Sequence, residues 1–257
     1  MSVNQAQHIL VTGAAGDIGS AMVNHFIGTG ATVTAVDIKS EDEILDRYTK
    51  EQQRNIKAVS VDLCDQKAVN NLIDSGAPLN CVIGNAGVGG TAAFVDIDAK
   101  FWQHTLDVNL TANFNLGQAA ARHFIKHKIA GRIVFTGSWV GSVPWPEITA
   151  YTVSKAGLEM LAKQMARELA IHQIRVNVVA PGIVRAGLAG ELLKTDPVYA
   201  KRAGRVVPLG EFQTANQVAD VVGFLCSPAG DYITGTVLLA DGGCSLFQFD
   251  SALDENS

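Results

Sequence analysis

His8-Ile9-Leu10-Val11-Thr12-Gly13-Ala14-Ala15-Gly16-Asp17-Ile18-Gly19-Ser20 is the stretch that decides how this chain is read. The run Ile9-Leu10-Val11 predicts a buried strand, and Ile18, Met22, Phe26 and Ile27 behind it predict an amphipathic helix. Between them lie glycines at 13, 16 and 19. Without side chains there, backbone N–H groups and the helix N-terminus can meet a pyrophosphate, and the helix can pack closely on its strand. In isolation the spacing equally fits a tight structural turn; its context argues for a nucleotide. A second β-branched run, Thr32-Val33-Thr34-Ala35-Val36, ends at Asp37, 24 residues after Gly13, where an acid would accept hydrogen bonds from an adenosine ribose. Gly13, Gly16, Asp17, Ile18, Gly19 and Asp37 are therefore candidate cofactor-binding residues. A carboxylate in that place repels a 2′-phosphate, so NAD is expected in preference to NADP, with Lys39 as the counter-argument.

Working outward, similar runs recur at Ala58-Val59-Ser60-Val61, Cys81-Val82-Ile83, Arg132-Ile133-Val134-Phe135 and Val176-Asn177-Val178-Val179, with longer amphipathic stretches between. This is the rhythm of an α/β chain: a single-domain, Rossmann-type, doubly wound parallel sheet of about seven strands with helices on both faces. The 257 residues suit one domain spanning the whole chain, since no repeat or Pro/Ser-rich linker divides it. Two regions break the rhythm. Residues 186–210 carry Gly187, Gly190, Pro197, Gly204, Pro208 and Gly210 around short helical pieces, an excursion of the kind that forms a substrate lid. The tail 250–257 holds three acids and no base and is expected to be mobile.

Composition excludes several classes. Lys+Arg 20 against Asp+Glu 25 leaves a net charge of −5, which argues against a protein that coats nucleic acid. No apolar run approaches the ~18 residues of a membrane span, and the N-terminus lacks the basic start and apolar stretch of a signal peptide, so the cytoplasm is the expected compartment. Cys64, Cys81, Cys226 and Cys244 are far apart and read as buried free thiols rather than a disulfide framework or zinc site. The six histidines have no ligand spacing, so no metal is expected.

Several further motifs follow in order: Val61-Asp62-Leu63, Asn85-Ala86-Gly87, Asp107-Val108-Asn109-Leu110, Ser138, Tyr151-Thr152-Val153-Ser154-Lys155, Pro181-Gly182 and Tyr232-Ile233-Thr234-Gly235 with Asp241-Gly242-Gly243. Together with the glycine loop, this ordered set resembles the short-chain dehydrogenase/reductase family from about His8 to Gly243. The resemblance implies an oxidoreductase with Asn109, Ser138, Tyr151 and Lys155 as catalytic residues. It also implies that Asp62 lies near adenine, that Asn85-Ala86-Gly87 supports the central sheet, and that Asp62, Leu63, Asn85, Tyr151, Lys155, Pro181, Gly182 and Val184 bind the cofactor. A homotetramer is expected on the same ground, with helices around Asn109 and Tyr151 at the interfaces and Leu246, Phe247 and Phe249 reaching a neighbour.

The chemistry agrees with those roles. Tyr151 and Lys155 are i and i+4, so on a helix they share one face. A lysine ammonium near a tyrosine favours the phenolate, and the expectation is a Tyr151 pKa lowered towards the range where it exchanges a proton with an alcohol. Ser138 follows a strand, and its hydroxyl can donate to the substrate oxygen if it lies near Tyr151, a proximity the resemblance supplies. Asn109 would, by the same resemblance, hold a water linking Lys155 to solvent.

Two positions depart from the family's pattern. Its compact branch normally has glycine where Asp17 stands, and an aspartate there suits the helix dipole but crowds or repels pyrophosphate if it points inward. Ala186 stands where threonine often meets the nicotinamide carboxamide.

Substrate identity should be written between Ser138 and Tyr151, where Trp139, Val140 and Trp145 join Ser138 and Tyr151 as candidate substrate-binding residues. Pro144-Trp145-Pro146 and the ending Ala240-Asp241-Gly242-Gly243 resemble those of the family's glucose and other aldose 1-dehydrogenases. The leading expectation is NAD-dependent oxidation of a secondary or anomeric hydroxyl on a sugar or polyol; Lys194, Lys201, Arg202 and Arg205 leave an anionic sugar open. The alternatives are an NADP-dependent 3-oxoacyl thioester reductase, docking an acidic carrier on Arg122, Lys126, Lys128 and Arg132, and a non-catalytic nucleotide-binding regulator.

Overall fold

The computed structural model describes residues 7–246. The tail at 250–257 and the aromatic pair Phe247 and Phe249 lie outside the described residues. In chain order the elements are β1 (His8–Thr12), α1 (Asp17–Gly28), β2 (Thr32–Asp37), α2 (Glu41–Leu45), β3 (Ile56–Ser60), α3 (Gln66–Asp74), β4 (Cys81–Gly84) and α4 (Ala99–Leu106). They continue with α5 (Ala112–His127), β5 (Arg132–Thr136), α6 (Thr149–Leu169), β6 (Arg175–Pro181), α7 (Gly187–Thr195), α8 (Pro197–Arg205), α9 (Ala215–Cys226) and β7 (Val237–Ala240).

The strands form one parallel seven-stranded sheet in the order β3-β2-β1-β4-β5-β6-β7. Strand side chains alternate between faces, and both faces are apolar because helices cover both. Ile9 and Val11 pack with Met22, Val23 and Phe26 of α1 and Val218, Val222 and Leu225 of α9. Leu10, Val82, Ile133 and Phe135 pack on the other face with Val69 and Ile73 of α3, Leu116 and Phe124 of α5, and Leu158 and Ala162 of α6. Helix starts are fixed locally: Asp65 caps α3, Asp98 caps α4, Asp196 caps α8, and Thr214 with Gln217 forms a capping box on α9. Between α4 and α5 the residues Asp107–Thr111 form a π turn that carries Asn109.

The strand order reverses between β1 and β4, and ligands of such sheets bind at that crevice, beyond the carboxyl ends of the strands. The excursion after β6 folds as α7 and α8 and builds a third apolar cluster in which Ala203, Val206 and Val207 meet Trp139, Val140 and Ile183. Among the described residues no helix is long and apolar enough to cross a membrane.

Candidate active site

The loop after β1 is held by its own backbone. The fully buried Thr12 hydroxyl donates to the Ile83 carbonyl (3.2 Å) and accepts from the N–H groups of Asn85 (2.9 Å) and Ala86 (3.1 Å). Asn85 returns a bond from Nδ2 to the Thr12 carbonyl (3.1 Å) and accepts one from the Thr136 hydroxyl (3.2 Å), so the ends of β1, β4 and β5 are tied together. Gly13 lies at φ +66°, and a Cβ on Gly19 would stand 2.0 Å from the Gly13 carbonyl oxygen. Both positions exclude a side chain.

The loop opens into a cleft of about 570 Å³, lined by Gly13, Gly16, Asp17, Ile18 and Gly19, by Asp37, Asp62 and Leu63, and by Asn85, Tyr151 and Lys155. Asp37 stands beside the glycine loop, and Tyr151 on the side shared with a neighbouring chamber. Helix α1 begins at Gly16 with no side-chain cap, leaving the N-terminal amides for an anion. Asp37 is fixed by accepting from the Ala15 N–H (3.0 Å) and the Lys39 N–H (3.2 Å). A side-chain-free loop, an uncapped helix start and a volume in the range of nucleotide pockets fit a dinucleotide.

A smaller cavity of about 160 Å³ adjoins this cleft, sharing Ile18, Thr136, Tyr151 and Gly187 with it. Ser138, Trp139, Val140 and Trp145 line one part, and Pro181, Gly182, Val184 and Ala186 line another. All five candidate substrate residues therefore meet in one chamber that opens on the nucleotide cleft. Lys155, only 3% exposed, donates from Nζ to the Thr136 carbonyl (2.8 Å) and sits 5.4 Å from the centre of the Tyr151 ring.

The electrostatics correct one expectation. Burial pushes the Tyr151 phenol up, against a hydrogen bond from Ser138 that pulls it down, and burial pushes the Lys155 ammonium down to about 8. Spacing alone puts the lysine beside the phenol. In the fold the Lys155 ammonium donates to the Thr136 carbonyl, and loss of water is the largest influence on both groups.

Asn109 lines neither cavity and is fully buried. Its Oδ1 accepts from the Val88 N–H (2.8 Å), while Nδ2 donates to the Val88 carbonyl (2.8 Å) and the Ser154 hydroxyl (3.0 Å). The side chain is thus committed to pinning the strand-to-helix loop onto α6. Its backbone carbonyl accepts from Asn113 Nδ2 (2.9 Å).

The two departures, Asp17 and Ala186, meet in space. Ala186 is the N-cap of α7 and offers no side-chain acceptor, whereas Asp17 Oδ2 accepts from the N–H of Gly187, the first residue of that helix (3.1 Å). Asp17 Oδ1 accepts from Arg47 Nη2 (2.7 Å). The Gly187 N–H first, and Arg47 second, hold the Asp17 carboxyl below the usual carboxylate range. The aspartate is bound to α7 and Arg47, and it supplies the cap that Ala186 lacks.

Several participants escape a reading of the sequence. Thr136 carries no motif, and its role comes from a backbone carbonyl that points at Lys155. Tyr199 of α8 lines the small chamber, and burial raises its phenol. Cys64 is exposed at the mouth of the nucleotide cleft, contrary to the expectation of burial, because Leu63 takes the inward position on that loop.

Such a sheet, with a nucleotide cleft at its switch point and a hydroxyl-lined chamber beside it, defines a class of dinucleotide-dependent oxidoreductases. The family profile described as enoyl-(acyl carrier protein) reductase matches residues 13–245. The chain is 31% identical to 3beta-hydroxysteroid dehydrogenase 1 of Eggerthella lenta, over 93% of this chain and 94% of that protein. It is 33% identical to human L-xylulose reductase, over 92% and 96%. Among solved structures, a putative 2-deoxy-d-gluconate 3-dehydrogenase from Agrobacterium tumefaciens with bound NADP superposes with a TM-score of 0.87 at 29% identity, covering 95% of this chain and 98% of that one. The chain belongs to the short-chain dehydrogenase/reductase family, as an NAD(P)-dependent oxidoreductase acting on CH–OH groups.

Proposed function

We propose that this enzyme oxidises a secondary or anomeric hydroxyl of a sugar or polyol with NAD. One observation carries the reading: Ser138 and Tyr151 face a chamber that opens on the glycine-loop cleft and is walled by the indoles of Trp139 and Trp145. Indole faces with a few fixed polar groups suit a ring that presents both C–H and O–H surface.

When bound, the nicotinamide supplies the hydride acceptor. Tyr151 exchanges one proton with the reacting oxygen: the phenolate takes it from the hydroxyl in oxidation, becoming the phenol, and the phenol gives it back in reduction. Because burial raises the phenol, oxidation is favoured by alkaline pH. The Ser138 hydroxyl donates to the same substrate oxygen and stabilises the charge that develops on it. Lys155 holds a positive charge behind the phenol. Pro181, Gly182 and Val184 shape the nicotinamide end, and α7 with α8 acts as the lid.

Asp37 supports NAD over NADP, since it lines the nucleotide cleft and a carboxylate beside the ribose would repel a 2′-phosphate. The NADP in the Agrobacterium structure is the reason to test this directly. Phe114, Val153 and Met160 are exposed apolar side chains on α5 and α6, which supports a homotetramer built on those helices. A single domain and a cytoplasmic location complete the proposal.

A Thermotoga maritima relative named 3-oxoacyl-[acyl-carrier-protein] reductase, 34% identical over 242 residues, favours one second reading, NADP-dependent reduction of the keto group of a 3-oxoacyl thioester. Against it, Arg132 of the proposed carrier dock is already paired with Asp231. The test is absorbance of reduced nicotinamide while the enzyme is offered NAD or NADP with aldoses, sugar acids, polyols and simple secondary alcohols. Turnover on a sugar with NAD supports the proposal; turnover confined to NADPH and a 3-oxoacyl thioester overturns it.

A further inference from the structure

Beyond the reaction chamber lies a third cavity, of about 730 Å³, between α8 and the loop that carries Trp139 to Pro146. Trp139 and Trp145 line both cavities, so the two are adjacent across one pair of indoles, whose rings meet edge to face at 5.3 Å. The outer cavity has a different character. Lys201, Arg202 and Arg205 line it, and among the described residues no acid does.

Arg202 is the informative residue. Its guanidinium carbon stands 4.8 Å from the centre of the Trp145 ring, and its Nε is buried without a hydrogen-bond partner. The carboxylate beside it, Glu147, approaches Nη2 only to 3.7 Å, beyond hydrogen-bond range. A buried donor left unmade is costly, and a planar guanidinium with free N–H groups is matched by a carboxylate or another oxyanion. A neutral sugar gains little from such a guanidinium, whereas an anionic one gains both charge and hydrogen bonds. Stacked on an indole, the guanidinium is also held in a fixed plane.

We infer that this cavity holds the anionic end, a carboxylate or sulfonate, of a polyhydroxylated substrate whose reacting hydroxyl lies against Ser138 and Tyr151. The inference rests on the sugar or polyol reading above and deepens it: the substrate is an acid that runs along the indole pair lining both cavities. Lys201 and Arg202 then determine specificity and leave the hydroxyl chemistry to Tyr151.

The test compares an aldonate with the polyol of the same chain length and configuration, in wild type and in Lys201→Gln/Arg202→Gln. Wild type is expected to favour the acid by tenfold or more in kcat/KM, expressed in KM, and the double variant to lose most of that ratio. A wild-type ratio near one, or a ratio that survives in the double variant, overturns the inference. If the double variant does not fold, Lys201→Gln alone, on an exposed side chain, is expected to reduce the ratio severalfold; an unaltered ratio counts against it.

A binding readout separates this inference from the reading it rests on. Tryptophan fluorescence of wild type is titrated with the aldonate, with the polyol and with inorganic sulfate. Saturable change with the aldonate, absent with the polyol and lost in the variant, supports the anion site even if neither compound is oxidised, in which case it is the proposed oxidation that fails. Response to sulfate but not to the aldonate overturns the assignment to substrate, leaving a site for free inorganic anions.

Discussion

The nucleotide end and the substrate end of this molecule are built on opposite plans. At the nucleotide end short side chains are locked onto the main chain: the Thr12 hydroxyl bonds to the backbones of β4 and the loop behind it, Gly19 lets α1 touch the Gly13 carbonyl, and the Asp37 carboxylate is fixed by two amides. At the substrate end the working surfaces are side chains on a loop and on α8, brought together by an apolar cluster of their own. At Gly13 and Gly19 such a site leaves no room for a side chain. A side-chain site can be rebuilt by substitution, which is how relatives with the same fold carry names as different as steroid dehydrogenase and xylulose reductase.

Tyr151 belongs to both cavities, and its replacement is the sharpest way to break that division. Tyr151→Phe is expected to lower kcat by about a hundredfold or more while dinucleotide binding, followed by nicotinamide fluorescence, changes little. A variant retaining more than about a tenth of wild-type kcat would remove the proposed proton transfer.

Gly19→Ala tests the backbone half. Its Cβ would meet the Gly13 carbonyl at 2.0 Å, so the loop must shift. The expected result is a loss of dinucleotide affinity together with about 1–3 kcal/mol of stability in urea unfolding. Unchanged affinity would show that the loop does not carry the dinucleotide.

Asp37→Ala is expected to erode the preference for NAD over NADP by about tenfold in the ratio of kcat/KM values, since one negative charge beside the ribose is removed. If NADP is already preferred by wild type, the reading of Asp37 fails.

Lys155 gives a prediction in pH. Its pKa is near 8 in the fold against an ordinary value of 10.5, so between those values the unfolded chain binds more protons than the folded one. Stability of the protein without dinucleotide should therefore rise with pH from about 8 towards 10.5, and Lys155→Met should flatten that rise in urea titrations at several pH values. A rise identical in the variant would mean that other groups cause it.

The smallest effect is expected where the two ends touch. Asp17→Asn weakens the contact to Gly187 and the pairing with Arg47, and should raise the dinucleotide KM a few-fold with kcat little changed. Because its carboxyl is held below the usual range, the contact is intact at neutral pH and is lost only as pH falls through that lowered value. No change in KM would make the contact ornamental to cofactor binding.

How much of this was legible beforehand differs between the two ends. The glycine loop, Asp37 and the Tyr151/Lys155 spacing are local patterns, readable because a strand, a turn and a helix each impose their own period on neighbouring residues. The roles of Thr136 and Tyr199 were invisible, one because a backbone carbonyl carries no residue signature, the other because a tyrosine in a lid looks like any surface tyrosine. The sign of the Tyr151 shift was misread because spacing reports which groups are near each other and says nothing of how much water they lose.

The sequence by itself determined the parallel α/β sheet, the family and the identity of the proposed reacting groups, since strand and helix periods and the motif order are properties of short segments. Only the tertiary structure decided what those segments do to one another. Asp17 caps a helix 170 residues away, Lys155 points at a strand carbonyl 19 residues back, and Arg202 lies over Trp145 with one donor unmet. These contacts depend on how the elements after β5 and β6 pack over the sheet edge, and packing between distant segments leaves no period in the chain.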